Sequence, residues 1–243
     1  MKETKVKRGL SAKDSKYLRR ITNAVGSKEH PFNSGVQMQA HHVLSAYAVE
    51  LTGRGDDMEV LGYDINLLPN LAFIPCTLQG ACYLGIQPHR GNHTAAVVSQ
   101  TDYDDDGEDK NDYHAEVAER ILGKLRKITK KCTGEEIKDS KMAIKKLNKL
   151  SAELLKLIQM NPQELPLTSI AKHFGKSKIG CGGQKSVTLH SGRTQCPMKR
   201  DHFHDDTREQ TETFVVGVQD FECITWPLGK GWTLRFEEDG DEQ

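Results

Sequence analysis

Four histidines in this chain stand at spacings with chemical meaning. His89 and His93, in Pro88-His89-Arg90-Gly91-Asn92-His93, are four residues apart. On a helix those positions share one face, close enough for two imidazoles to bind one metal ion. Zinc and related first-row metals accept neutral imidazole readily. A structural zinc site would have the same spacing, so the pair alone does not choose between structure and catalysis. His41 and His42, in Ala40-His41-His42, are adjacent. On a strand, adjacent side chains point to opposite faces, so the two rings have different jobs. One can complete a metal site while the other faces a substrate, where neutral imidazole is suited to taking a proton from water. Asn70 stands just before the apolar run Leu71 to Ile74, where an asparagine can fix a loop by bonding its backbone.

These residues need a β-hairpin followed by a helix to bring them to one ion. The patterning predicts a strand over Gln39 to Leu44 and a second over Leu71 to Ile74, closed by Pro75. Between them, Ala46 to Leu51 reads as a helical turn ended by a Gly53-Arg54-Gly55 loop. Pro88 suits the first turn of a helix running to about Ser99, because its missing N–H costs nothing there. An acidic loop, Thr101 to Asn111, follows. Asp112 is a fitting N-cap for a helix with Tyr113, Val117, Ile121, Leu125 and Ile128 on one face. A second long helix is expected over Glu135 to Met160, with Ile137, Ile144, Leu147, Leu150, Leu154, Leu157 and Ile158 as its stripe. A shorter helix, Ala12 to Val25, belongs to a basic lead-in. From about Pro166 glycine becomes frequent; Phe214 to Thr225 and Trp232 to Phe236 read as strands joined at Gly229-Lys230-Gly231. The expected fold class is α+β. The expected units are a lead-in over 1–35, a core with helical extension over 36–165, and a small β-containing C-terminal subdomain over 166–243.

Composition sets the outer bounds. The chain has 243 residues, 36% hydrophobic and 28% charged, enough for a sizeable core. No apolar run approaches the ~18 residues of a membrane span. The basic N-terminus has no apolar stretch behind it and does not read as a secretory signal. The six cysteines form no C-x-x-C pair, which favours reduced thiols over a disulfide scaffold. Net charge is zero, but it is unevenly distributed. Residues 1–30 carry nine Lys/Arg against three acids, and residues 120–160 twelve against four. Residues 102–119 carry nine acids against one lysine, and residues 201–243 twelve against three bases. Such blocks leave room for a basic groove that tracks phosphates.

The order His-His, Asn, His-x-x-x-His resembles the His-Asn-His/endonuclease VII superfamily. More narrowly it resembles the AHH nucleases, which are found as toxin modules in bacterial conflict. The matching positions are Ala40-His41-His42, Gly62-Tyr63-Asp64-Ile65-Asn66 with Asn70, Pro88 to His93, and Tyr113-His114. They span roughly residues 36–120, and the acidic insertion lengthens the gap before Tyr113. The resemblance implies a ββα-metal nuclease core holding one divalent ion on His41, His89 and His93, with zinc, magnesium, manganese and nickel all open. It makes His42 the general base. Asn70 or Asn66 orients it, and Tyr113 is a support. Arg90 either braces the phosphate or is an ordinary surface arginine, and His114 either contacts phosphate, supports a metal ligand or is a core histidine at the start of its helix. It implies DNA as substrate, with RNA not distinguished, and a cognate immunity protein as partner. The enzyme would be cytoplasmic in its producer, exported without a signal peptide, and active in a target cell. A resident defence or DNA-processing nuclease and a non-catalytic zinc module are the competing readings. Elsewhere, Cys181, Cys196, His202 and His204 form a second candidate zinc set without standard finger spacing. Gly175-Lys176-Ser177 lacks the first glycine of a phosphate loop.

Overall fold

The computed structural model describes residues 6–26, 28–89, 113–131, 134–168, 171, 174, 180–182, 223–227 and 231–236. Eight regular elements follow in chain order: α1 (Tyr17–Val25), β1 (Met38–His42), α2 (Ala46–Leu51), α3 (Gly55–Val60), β2 (Leu71–Pro75), α4 (Leu78–Leu84), α5 (Tyr113–Thr129) and α6 (Glu136–Met160). The mixture of helices with one small antiparallel sheet is an α+β arrangement. None of the described helices is long and apolar enough to cross a membrane.

β1 and β2 pair antiparallel, with Gln39 opposite Ile74, His41 opposite Ala72 and His42 opposite Leu71. Strand alternation divides the sheet into two faces, and each has its own core. Ala72 and Ile74 join the larger core, beside Val117, Ile121 and Leu125 of α5 and Leu147, Leu150 and Leu154 of α6. Leu71 and Phe73 join the smaller one, beside Ile21 and Val25 of α1 and Ile224, Trp226 and Phe236. All five residues of β2 are buried.

The turn leaving β1 is held by Asn70. Its Oδ1 accepts the Leu44 N–H at 2.8 Å, and its Nδ2 donates to the carbonyls of Leu44 at 3.0 Å and Ile65 at 2.8 Å. The Ser151 hydroxyl of α6 donates to Asn70 Oδ1 at 3.2 Å and to the Pro69 carbonyl at 3.1 Å. This engagement explains why β1 stops at His42 rather than running to Leu44. The backbone N–H groups of Val43 and Leu44 go to the carbonyl and side chain of Asn70.

Several other boundaries differ from the sequence expectation. α1 begins at Tyr17, not Ala12, because the Ala12 carbonyl and Asp14 N–H are taken by the Asn66 side chain. Gly55 opens α3 instead of ending a loop, and α4 was not foreseen; its N-cap Thr77 accepts the Gly80 N–H at 3.0 Å. Pro88 and His89 are not helical. The His89 N–H goes to the Pro75 carbonyl at 2.8 Å, continuing the strand edge. The rest of that expected helix, the acidic loop and Asp112 lie outside the described residues. Trp232–Phe236 is not a strand; these residues follow an irregular path, and Trp232, Leu234 and Phe236 pack their side chains into the cores. Residues 214–222 and the 229–230 part of the expected turn lie outside the described residues.

A buried histidine not singled out by spacing, His30, also belongs to the smaller core. Its Nδ1 accepts the Phe32 N–H at 3.1 Å, and its ring centroid lies 5.4 Å from those of Trp232 and Phe236. Burial lowers its pKa to about 4. It is a structural cap in an aromatic setting.

Replacing Asn70 by alanine leaves the Leu44 N–H and two buried carbonyls without their partner. Asn70→Ala should lower the unfolding free energy by about 2–4 kcal/mol, read from urea denaturation; a loss within experimental error would contradict the role given to this side chain.

Candidate active site

The two histidines of β1 enter different surroundings. His41 faces the larger core and His42 the smaller, as their partners Ala72 and Leu71 require. Residue 39 lies two positions before His41 and shares its face. Gln39 accordingly reaches His89, whose Nδ1 lies 2.9 Å from Gln39 Oε1. An amide oxygen only accepts, so His89 carries its proton on Nδ1 and turns the lone pair of Nε2 inward. That nitrogen is 3.1 Å from His41 Nδ1. On the far side of His41, Nε2 is 2.9 Å from the Tyr113 hydroxyl. Tyr113 spends its own proton on the Val43 carbonyl at 2.7 Å. It therefore accepts from His41 Nε2–H, and His41 Nδ1 is also a lone pair.

These two ring nitrogens meet at 3.1 Å. Neutral imidazoles so placed can share one cation. Protonation is disfavoured, because burial pushes His41 well below its ordinary pKa, with the neighbouring His89 adding to the effect, and burial lowers His89 to about 3. Two imidazole nitrogens on one tetrahedral zinc stand about 3.3 Å apart, so the donor set fits a divalent ion. The outer nitrogens are both anchored, which is how metal-ligating histidines are oriented. Among the described residues no group of three His, Cys, Asp or Glu side chains converges as a metal site. His93, the third expected ligand, lies outside the described residues, as does Arg90.

His89 itself is placed by its chain neighbour Gln87. The Gln87 side chain donates to the carbonyls of Ile158 at 3.0 Å and Leu165 at 3.1 Å, and accepts the Leu167 N–H at 2.7 Å. The end of α6 thereby fixes the segment that delivers His89 to His41.

On the other face, His42 Nε2 is 3.1 Å from Asn66 Oδ1. The Asn66 amide cannot turn round, because its Nδ2 donates to the Ala12 carbonyl and to Asp64 Oδ1, each at 2.9 Å. Oδ1 accepts from His42, so the ring is the Nε2–H tautomer and Nδ1 is its basic nitrogen. Tyr17 of α1 packs on the ring, centroids 4.5 Å apart. Burial is the main reason the His42 pKa falls to about 4, opposed by the bond to Asn66; near pH 7 the ring is neutral.

The two asparagines divide the work left open by sequence. Asn66 touches His42, and Asn70 holds the turn. Tyr113 sets the tautomer of His41. His114 is buried, with Nδ1 2.7 Å from the Ser45 hydroxyl that caps α2, and its ring lies edge-on to Tyr47 at 5.1 Å. It ties α5 to α2. Gln39 and Gln87 were not anticipated. For Gln39 the signal was its place two residues before His41 on the strand. Of the second cysteine–histidine set only Cys181 is described. It is fully buried in the smaller core, its N–H bonded to the Cys82 carbonyl at 2.8 Å; Cys196, His202 and His204 lie outside the described residues.

A family model described as AHH, a nuclease family of the HNH/ENDO VII superfamily with conserved AHH, matches residues 23–154, just over half of the chain. No curated protein and no solved structure matches it.

Tyr113→Phe removes the hydroxyl that fixes His41 and leaves the Val43 carbonyl short of a donor. Affinity for the divalent ion should fall about 10–100-fold, measured by calorimetric titration of metal-free protein. Unchanged affinity in a folded variant would refute the role assigned to this hydroxyl.

Proposed function

The chain belongs to the AHH nuclease family of the HNH/ENDO VII superfamily, and from that premise we propose that it is a metal-dependent endonuclease hydrolysing phosphodiester bonds of DNA with little sequence specificity. The observation that carries the reading is the meeting of the His41 and His89 rings at 3.1 Å, with a neutral, oriented His42 on the neighbouring strand position. His41, His89 and His93 would hold a divalent ion, which would supply Lewis-acid stabilisation of charge on the phosphate and on the departing oxygen. His42 Nδ1 takes a proton from water as the water oxygen forms its bond to phosphorus and the bond to the 3′ oxygen breaks. The resulting imidazolium keeps its Nε2–H on Asn66 Oδ1, which accepts the charge-assisted bond without moving. Gln39 and Tyr113 keep the two ligand rings from rotating. Arg90 braces the phosphate, and His114 supports the site from the start of α5. Backbone contacts rather than base reading account for the low specificity.

The resemblance to toxin modules supports a further role as an antibacterial effector, made in a producer's cytoplasm, active in that of a target cell, and held in check by a cognate immunity protein. Under this role wild type cannot be cloned without a neighbouring gene, whereas His42→Ala can. Equal cloning of both identifies a resident defence or DNA-processing nuclease.

At low salt the purified protein should relax and cut supercoiled plasmid when a divalent ion is present and stop when chelator is added. His42→Ala should slow cleavage by about 100-fold or more. Folded, metal-loaded protein that leaves DNA and RNA intact with zinc, magnesium, manganese and nickel would replace catalysis by a structural metal clasp.

A further inference from the structure

Residues 9–20 precede the part of the chain that the family model matches, which begins at residue 23, yet they form one wall of the His42 side of the site. They reach it by a fixed path. Gly9 N–H donates to the Glu59 carbonyl at 2.9 Å, and a Cβ at Gly9 would lie 1.9 Å from the Tyr63 carbonyl oxygen, so only glycine passes there. Leu10 bridges to Asp64 in parallel, and the Ser11 N–H and hydroxyl both go to Glu59 Oε1, at 3.0 and 2.6 Å.

The chain bends at Ser11 and Ala12 and then passes through Lys13. The residue before it accepts from the Asn66 amide, Ala12 O to Nδ2 at 2.9 Å. The residue after it donates to the same amide, Asp14 N–H to Oδ1 at 3.1 Å. Both flanks of Lys13 are thus fastened to the side chain that holds the His42 ring. Arg20 locks the turn from the other end, with Nη1 3.1 and 3.3 Å from the Asp14 carboxylate and 3.2 Å from the Asn66 carbonyl. Arg20 is therefore already used, and so is Arg8, paired with Asp56 and Glu59. Lys13 is exposed and makes no ion pair among the described residues.

The amide that fastens both flanks of Lys13 also orients the His42 ring, so a lysine side chain at this position is within reach of a phosphate on which His42 acts. Lysine is a compact point charge that binds phosphate well. Exposed Lys16 and Arg19 continue the positive stretch along the same segment. Resting on the nuclease reading above, we infer that Lys13 is a substrate-binding residue whose ammonium takes a non-bridging oxygen of the nucleic-acid backbone beside the bond that is cut.

The test measures binding without cutting, in full-length His42→Ala protein, by fluorescence anisotropy of a mixed-sequence DNA duplex titrated across sodium chloride. Lys13→Gln in that background should weaken binding several-fold at low salt and flatten the slope of log affinity against log salt by about one. Arg54→Gln, the same charge loss on an exposed position outside both basic stretches, should leave both unchanged. Equal affinity and slope with and without Lys13, an equal loss from Arg54→Gln, or no duplex binding by the parent would each overturn the assignment. Failure of the nuclease reading shows separately, as intact plasmid in the presence of wild-type protein and metal.

Discussion

A β-strand sends consecutive side chains to opposite faces, and every other feature of this molecule answers to that rule as it operates on His41 and His42. One ring goes to the face where Ala72 and Ile74 meet α5 and α6, the other to the face where Leu71 and Phe73 meet α1. A two-stranded sheet cannot keep its place alone in water. It needs a cover on each side, and here each cover also brings the partner that its histidine requires. α5 brings Tyr113, and the turn before α1 fastens the Asn66 amide. A register slip of one residue would exchange the two rings and deprive both of their partners. Asn70 guards against it by gripping the turn at Leu44 from both its donor and its acceptor side.

The chemistry rests on proton placement. Each of the three rings has one nitrogen committed to a protein acceptor: His41 to a tyrosine hydroxyl, His89 to a glutamine carbonyl, His42 to an asparagine carbonyl. Three neutral acceptors in a buried setting keep all three rings neutral near pH 7, with the opposite nitrogens bearing lone pairs. A carboxylate in place of any of these amides would favour the imidazolium, which neither binds a metal nor takes a proton. Asp64, an acidic residue beside the His42 partner, is kept one step back; it receives the Asn66 N–H and Nδ2–H and leaves the ring to the amide.

Much of this was legible in the residues. Alternation separated His41 from His42, and the 3.6-residue spacing of Tyr113 to Ile128 and of the stripe ending at Ile158 located α5 and α6 to within a residue. β2 was found from its apolar run, whereas β1, expected over Gln39 to Leu44, runs from Met38 to His42. What escaped was non-local or short. α4 is seven residues with a glycine inside it, which carries little periodicity. Asn66 and Asn70 have the same chemistry four residues apart, and only the position of Ala12 and Asp14 in space gives the first to His42. The N-terminal segment read as a basic lead-in because nothing local announces that Gly9 must slip past Tyr63. Pro88 favoured a helix start, but the open carbonyl of Pro75 at the strand edge took the His89 N–H first.

The smaller core joins distant stretches of chain. The Tyr83 hydroxyl donates to the Trp226 carbonyl at 2.6 Å across 143 positions, and Trp226 and Phe236 lie in one cluster with Ile21 and Phe73. A nascent polypeptide whose histidines have all left the ribosome still lacks one wall of the core on which α1 rests. Contacts of such long sequence separation form late. The order of translation thus acts as a timer: the stretch around Trp226 and Phe236 must be made before the smaller core can close beside His42.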